Sequence, residues 1–323
     1  MKLSELGEFG LIGKIREHFP APDGVTGIGD DCAVLPPNYH ADTLVSTDML
    51  VEGTHFLIDR ISPCDLGWKS AAVNLSDIAA MGGKPTGTFL SLALPASTDS
   101  AWVDGFLRGY ADISSRFDTP LLGGDTTASP DRICINVTVL GEAPRNMARK
   151  RSDAKKGDLI CVTGPLGDSA AGLKALLREE RDADISTLIN RHCRPMPRVE
   201  EGQQLRLNLG VHAMMDISDG IGSDLMHILE ASEMNAEINL DSLPFSLALK
   251  HVCLRFGWDP VELAVCGGED YELLFTCTPQ AEMLLTVPHF VIGRITDRSH
   301  GKPEITWRGA STPSFAGFDH FRR

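Results

Sequence analysis

The sequence predicts a protein of two domains, each mixing helices with strands. Three observations lead there. The chain has 323 residues, about twice what one ordinary core organises. A basic stretch, residues 145–156 (RNMARKRSDAKK), interrupts it near the middle with six basic residues and one acidic residue. On either side, apolar residues recur with the spacing of helices in some segments and of strands in others.

The elements follow in order. Residues 1–19 mix Glu5, Glu8, Lys14 and Arg16 with apolar residues and read as an amphipathic helix. They lack the charged-then-apolar layout of a signal peptide, so a cytosolic chain is expected. Residues 43–51 (TLVSTDMLV) read as a strand running into a loop. Residues 66–81 read as a helix closed by Gly82-Gly83. Ser70, Asn74 and Asp77 fall at i, i+4 and i+7 of that helix and share one face. Residues 101–117 read as a second helix, and 132–140 (RICINVTVL) alternate as a strand does. The composition shift places the domain boundary between 148 and 149, giving domains 1–148 and 149–323. Beyond it come an expected strand at 159–164, helices at 168–181 and 221–234, and strands at 271–277 and 289–295. The polar stretch 299–316, rich in Pro, Ser and Gly, reads as loops.

Composition narrows the function. Apolar residues make up 42% and charged residues 23%, a soluble globular balance. No stretch approaches the roughly 18–20 apolar residues that span a bilayer. The formal net charge of −14 repels nucleic acid and anionic membrane. Phosphorylated substrates would need divalent cations to approach such a surface. The eight cysteines form no C-x-x-C pair, which argues against structural zinc and for scattered, reduced core thiols.

The chemistry-bearing feature is a series of acidic residues beside Gly, Ser or Thr, read as turns. They are Gly29-Asp30-Asp31, Ser46-Thr47-Asp48, Ser76-Asp77, Gly123-Gly124-Asp125-Thr126-Thr127, Asp216-Ile217-Ser218-Asp219-Gly220 and Gly267-Gly268-Glu269-Asp270. Hard oxygen ligands of this kind suit Mg²⁺, which bridges carboxylates to phosphates. Carboxylates gathered without cations would repel one another. Taken singly, each motif is equally an ordinary cap or turn. The two halves also echo each other: Asp77 and Asp125 are 48 residues apart, Asp219 and Glu269 are 50 apart. No P-loop, G-x-G-x-x-G, G-x-S-x-G or H-E-x-x-H occurs. A nucleotide site would therefore draw on the acidic motifs and on basic residues such as Arg149, Lys150 and Arg151.

Eight ordered segments carry a resemblance: GIGDDCAVL (27–35), STDMLVEGTHF (46–56), NLSDIAAMGGKP (74–85), LLGGDTT (121–127), RSDAKKGD (151–158), DISDGIGSDLMHI (216–228), GGEDYELLFT (267–276) and GFDHF (317–321). Together they resemble the thiamine-monophosphate kinase family, within the superfamily of aminoimidazole ribonucleotide synthetase. The resemblance implies an α+β protein of two α/β-type domains, with N-terminal strands pairing across a homodimer. It implies ATP and several Mg²⁺ ions, with thiamine monophosphate as acceptor in a direct in-line transfer. By the same resemblance Asp30, Ser46, Thr47, Asp48, Asp77, Asp125, Asp216 and Asp219 are metal ligands. Gly124, Asp125, Arg151 and Ser218 contact the nucleotide. His55, Glu269 and Phe318 hold thiamine phosphate, whose cationic ring suits an acid and an aromatic face. No general base is implied. Two departures stand near Arg151: Asp153 where the family usually has Gly, and Pro165 where it usually has Thr. Another ATP-using enzyme of the superfamily, or a non-catalytic acidic metal-binding protein, remain the alternatives.

Overall fold

The protein's computed structural model describes residues 13–20, 22, 38–298 and 301–309. Residues 1–12 of the first expected helix lie outside these; residues 13–18 are helical. The chain forms two compact units. One holds the described residues up to Ile78 together with Gly83–Asn146; the other holds Ala79–Gly82 and the described residues from Met147 onward.

Among the described residues, the first unit holds a four-stranded sheet and, besides the helical turn at 13–18, two helices. Its strands are β1 (Ala41–Val51), β2 (Lys84–Pro95), β3 (Leu121–Ser129) and β4 (Cys134–Pro144), in the order β1-β4-β2-β3. The β1/β4 and β4/β2 pairs are antiparallel; β2/β3 is parallel. Ile135, Val137, Val139 and Ala143 alternate inward from β4 and are fully buried, as period-2 patterning requires of a one-sided sheet. Helix α1 (Pro63–Ala80) starts on Ser62. The Ser62 hydroxyl accepts from the Asp65 N–H and donates to the Asp65 carboxylate, and Pro63 occupies the first helical position. Helix α2 (Ser100–Arg116) is capped by the Asp99 carboxylate, which accepts from Ala101 N–H at 2.9 Å. It buries Val103, Phe106, Leu107, Tyr110 and Ile113, the stripe of an amphipathic helix.

Among the described residues, the second unit is built on a six-stranded sheet. Its strands are β5 (Leu159–Val162), β6 (Val211–Asp216), β7 (Met234–Asn239), β8 (Leu273–Cys277), β9 (Phe290–Arg298) and β10 (Ile305–Arg308), in the order β10-β7-β9-β5-β8-β6. The helices are α3 (Asp168–Leu177), α4 (Ala183–Cys193), α5 (Val199–Leu207), α6 (Ile221–Ser232), α7 (Leu247–Phe256), α8 (Pro260–Cys266) and the short α9 (Pro279–Glu282). Ile160, Val162, Met215 and Leu274 of the sheet pack with Ile221, Leu225, Ile228 and Leu229 in one core. A second core joins Ala171 and Ala175 to Leu188, Leu249, Val252 and Trp258.

Several expectations need correction. Gly123–Thr127 is the middle of β3, not a turn. Ser46-Thr47-Asp48 likewise lies inside β1, which runs on to Val51. Both have a hydrogen-bonded neighbour over their full length, and pairing overrides the turn preference of Gly and Asp. The stretch expected to be loops contains β10, which pairs in parallel with β7 through Ile305 opposite Ala236. Strands β2, β6 and β7 and helices α4, α5, α7, α8 and α9 had no counterpart in the sequence reading. The internal echo does not extend to local structure. Asp77 is helical while Asp219 lies in the loop before α6; Asp125 is on a strand while Glu269 is in a loop. All the described cysteines are free, and Cys161, Cys193, Cys253 and Cys277 are buried.

Candidate active site

In the first unit, β1 and α1 bring four of the singled-out side chains together. Ser46 Oγ donates to Asp77 Oδ2 at 2.5 Å. The Asp48 N–H donates to Asn74 Oδ1 at 3.2 Å, while Asn74 Nδ2 donates to the Ser70 carbonyl at 3.0 Å. Asn74 is wholly buried, so it pins the Asp48 backbone to the helix. Burial, and then the neighbouring Asp77 carboxylate, push Asp48 up to about 6. Two carboxylates sharing half-buried space in this way favour a cation. Thr47 faces the other side of the sheet: its Oγ1 donates to the Val137 carbonyl at 3.0 Å and lies 3.0 Å from Asn136 Nδ2 and 3.1 Å from Thr138 Oγ1.

Asp48 stands level with Val137 on β4, Leu90 on β2 and Gly124 on β3. A β-carbon at Gly124 would lie 1.8 Å from the Leu90 carbonyl oxygen, so no other residue fits that strand position. Asp125 follows, with its Oδ1 accepting from the Thr126 N–H at 2.9 Å. Asp48 and Asp125 are thus on opposite edge strands, three inter-strand spacings or about 14 Å apart. His55 sits in the turn after β1. Its Nδ1 accepts from the Val51 N–H at 2.9 Å, so the neutral ring carries its proton on Nε2 and presents a donor there.

In the second unit, two loops are laid against each other. The first, residues 216–220, leaves the end of β6. Its Ser218 and Asp219 N–H groups donate to Asp224 Oδ2 at 3.0 and 3.1 Å. Asp224 is buried in the first turn of α6. Burial, with Asp216 and Asp219 adding repulsion against the two backbone N–H bonds, pushes Asp224 up to about 8. The second loop, residues 267–271, is tied to the first: Glu269 N–H donates to Ser218 O at 2.8 Å and Tyr271 N–H to Ile217 O at 2.9 Å. Glu269 and Tyr271 both take left-handed backbone, with φ of 65° and 51°. Such conformations in non-Gly residues persist where surrounding bonds over-determine them, and they gather at functional sites.

Arg151 is exposed in a one-turn 3₁₀ helix, Arg151–Asp153, whose Arg151 carbonyl accepts from Ser232 Oγ at 2.8 Å. Asp153 keeps a negative φ there, so this turn makes no demand for Gly. Asp30 and Phe318 lie outside the described residues. Among the described residues no three His, Cys, Asp or Glu side chains are disposed as a ready metal cage. Both acidic groups are nevertheless all-oxygen donor sets with mutually repelling carboxylates, which fits a hard divalent cation such as Mg²⁺. The sequence reading missed Asp224 and His192, and it named Asp270 only as a member of an acidic motif, with no role of its own. Asp224 had one available signal, its place eight residues after Asp216 in DISDGIGSD.

Two models of the AIR synthase related protein match the chain, the N-terminal domain over residues 29–143 and the C-terminal domain over residues 155–306. The thiamine-monophosphate kinase of Escherichia coli (strain K12) is 42% identical over 98% of this chain and 98% of that protein. A crystal structure of thiamine-monophosphate kinase from Stenotrophomonas maltophilia K279a superposes with a TM-score of 0.81 at 38% identity, covering 93% of this chain and 96% of that one. The structure of AaThiL complexed with AMPPCP and TMP superposes with a TM-score of 0.80 at 35% identity, covering 99% of both chains. With identity of this order over nearly its whole length, two AIR synthase-related domains and acidic motifs held as described, the chain belongs to the thiamine-monophosphate kinase family.

Proposed function

We propose that this protein transfers the γ-phosphoryl group of ATP to the phosphate of thiamine monophosphate, forming thiamine diphosphate. The observation that carries the reading is the likeness, over 99% of both chains, to AaThiL complexed with an ATP analogue and TMP. The acceptor phosphate is already an anionic oxygen nucleophile, so no residue need remove a proton from it. The barrier is repulsion between anions, about 4 kcal/mol for each unit-charge pair at 4 Å and an effective dielectric near 20.

Residue roles follow as proposals. Asp30, Ser46, Thr47, Asp48, Asp77, Asp125, Asp216 and Asp219 would hold Mg²⁺. Bound there, Mg²⁺ would neutralise the phosphates and align donor with acceptor. Gly124, Asp125, Arg151 and Ser218 would take the nucleotide. His55 would donate through Nε2 to the acceptor phosphate. The Glu269 carboxylate would face the thiazolium cation, with Phe318 against the ring. We also propose a homodimer working in the cytoplasm; no helix among the described residues is long and apolar enough to cross a membrane.

The test is incubation with ATP, Mg²⁺ and thiamine monophosphate, following thiamine diphosphate by chromatography. Parallel arms with selenide and with purine precursors separate the reading from other ATP-using members of the superfamily. Asp48→Asn and Asp125→Asn should each lower kcat at least about a hundredfold, equivalent to about 2.7 kcal/mol of barrier, while melting cooperatively. Near-normal turnover in both variants would remove the metal roles.

A further inference from the structure

The Glu269 side chain is held from a direction no acidic motif accounts for. His192, in the last turn of α4, is 6% exposed. Its Nδ1 lies 3.3 Å from Glu269 Oε2 and 3.0 Å from Ser169 Oγ. A carboxylate at that distance favours the proton on Nδ1, so the imidazole donates toward Glu269. The C-terminal end of a helix favours a donor or cation at the same place. Ser169 is itself anchored: its N–H donates to Asp270 Oδ1 at 3.1 Å, and Gly167 N–H donates to Asp270 Oδ2 at 2.7 Å. The Glu269 backbone is fixed separately by the bond to Ser218. Both ends of the Glu269 side chain are therefore placed by the fold.

We propose that His192 is a positioning residue, whose Nδ1–H holds the Glu269 carboxylate in the orientation that meets the cationic ring of the substrate. The inference rests on thiamine monophosphate being that substrate. A glutamate left to itself loses rotamer freedom when the ligand arrives. One already held has lost it on folding, so the benefit falls on binding and not on the phosphoryl step.

Two neutral amides test this. Asparagine places an N–H where Nδ1 stands; glutamine places it one atom further out, toward the position of Nε2. His192→Asn should raise KM for thiamine monophosphate less than about threefold and His192→Gln about tenfold, with kcat and KM for ATP within about twofold in both. A role in merely filling buried space gives the opposite order, because glutamine replaces more of the imidazole volume. Equal KM values, or the opposite order, overturn the inference while leaving the kinase reading intact. Failure of the wild-type protein to form thiamine diphosphate overturns that reading, and this inference with it.

Discussion

Asp270 lies beside the proposed substrate residue, yet it titrates far from the ordinary carboxylate range. Burial is the first cause, and the Asp168 and Glu272 carboxylates add to it. The N–H groups of Gly167 and Ser169 pull the other way, and the balance pushes the carboxyl up to about 8 from 3.8. The unfolded chain releases this proton near pH 4, while the folded chain keeps it to about pH 8. Between those limits the folded state binds more protons, so rising pH withdraws stability through that window. Asp270→Asn cannot titrate. The stability of wild type minus that of Asp270→Asn should therefore fall from pH 5 to pH 8, by at most about 1.4 kcal/mol per pH unit. Urea unfolding at pH 5, 6.5 and 8 measures it; a difference independent of pH would refute the burial argument. The letters GGED marked this place in the sequence, but not which of its two acids is sealed against a helix start. Residue type reports chemistry, whereas burial depends on chain segments about a hundred positions away, here Gly167 and Ser169.

Among the elements, a buried ion pair joins α5 to β8. Arg198, at the start of α5, donates from Nε to Glu272 Oε2 at 2.8 Å and from Nη2 to Oε1 at 2.5 Å. Thr163, just beyond β5, adds its hydroxyl to Oε2 at 2.7 Å. Glu272 is 4% exposed, so removing its partner strands a charge. Arg198→Met should cost about 3–5 kcal/mol, and adding Glu272→Met should return more than half of that. A double-mutant cycle by urea unfolding checks it; purely additive losses would mean that the two side chains do not act as a pair. Arg198 precedes a helix that could not be read from the sequence, whereas Glu272 falls in the stretch 271–277 that reads as a strand and leads into β8. Helices α1, α2 and α6 were legible because the 3.6-residue apolar stripe, closed in α1 by Gly82-Gly83, is a local signal. Strand β3 was not, since LLGGDTTAS carries turn letters and becomes a strand only beside Phe89–Pro95 of β2. Strand β10 has four residues and exists by pairing with β7.

At the scale of the whole molecule, the proposed metal ligands pose a geometric demand. Asp48 on β1 and Asp125 on β3 occupy the two edge strands of the sheet formed by the described residues, with β4 and β2 between them. At about 14 Å they cannot reach one ion with ligand distances near 2 Å. Edge strands invite pairing with another chain, and the outer face of β1 exposes Val45 by 63% and Met49 by 57%, on either side of Thr47. In the proposed homodimer, a two-fold arrangement that sets β1 of one copy against β3 of the other would bring Asp48 and Asp125 from different copies into one site. The sequence could list the acids but not assign them to copies, because strand order is invisible in a single chain of letters. Complementation decides the matter. Asp48→Asn and Asp125→Asn, each inactive as a homodimer, are co-expressed with different tags. With random pairing half the dimers are mixed, and each mixed dimer regains one intact site of two, giving about a quarter of wild-type turnover. Purified mixed dimers should reach about half. If every ligand of a site came from one copy, a mixed dimer would stay as inactive as its parents, and the shared site would be refuted even with the kinase activity intact.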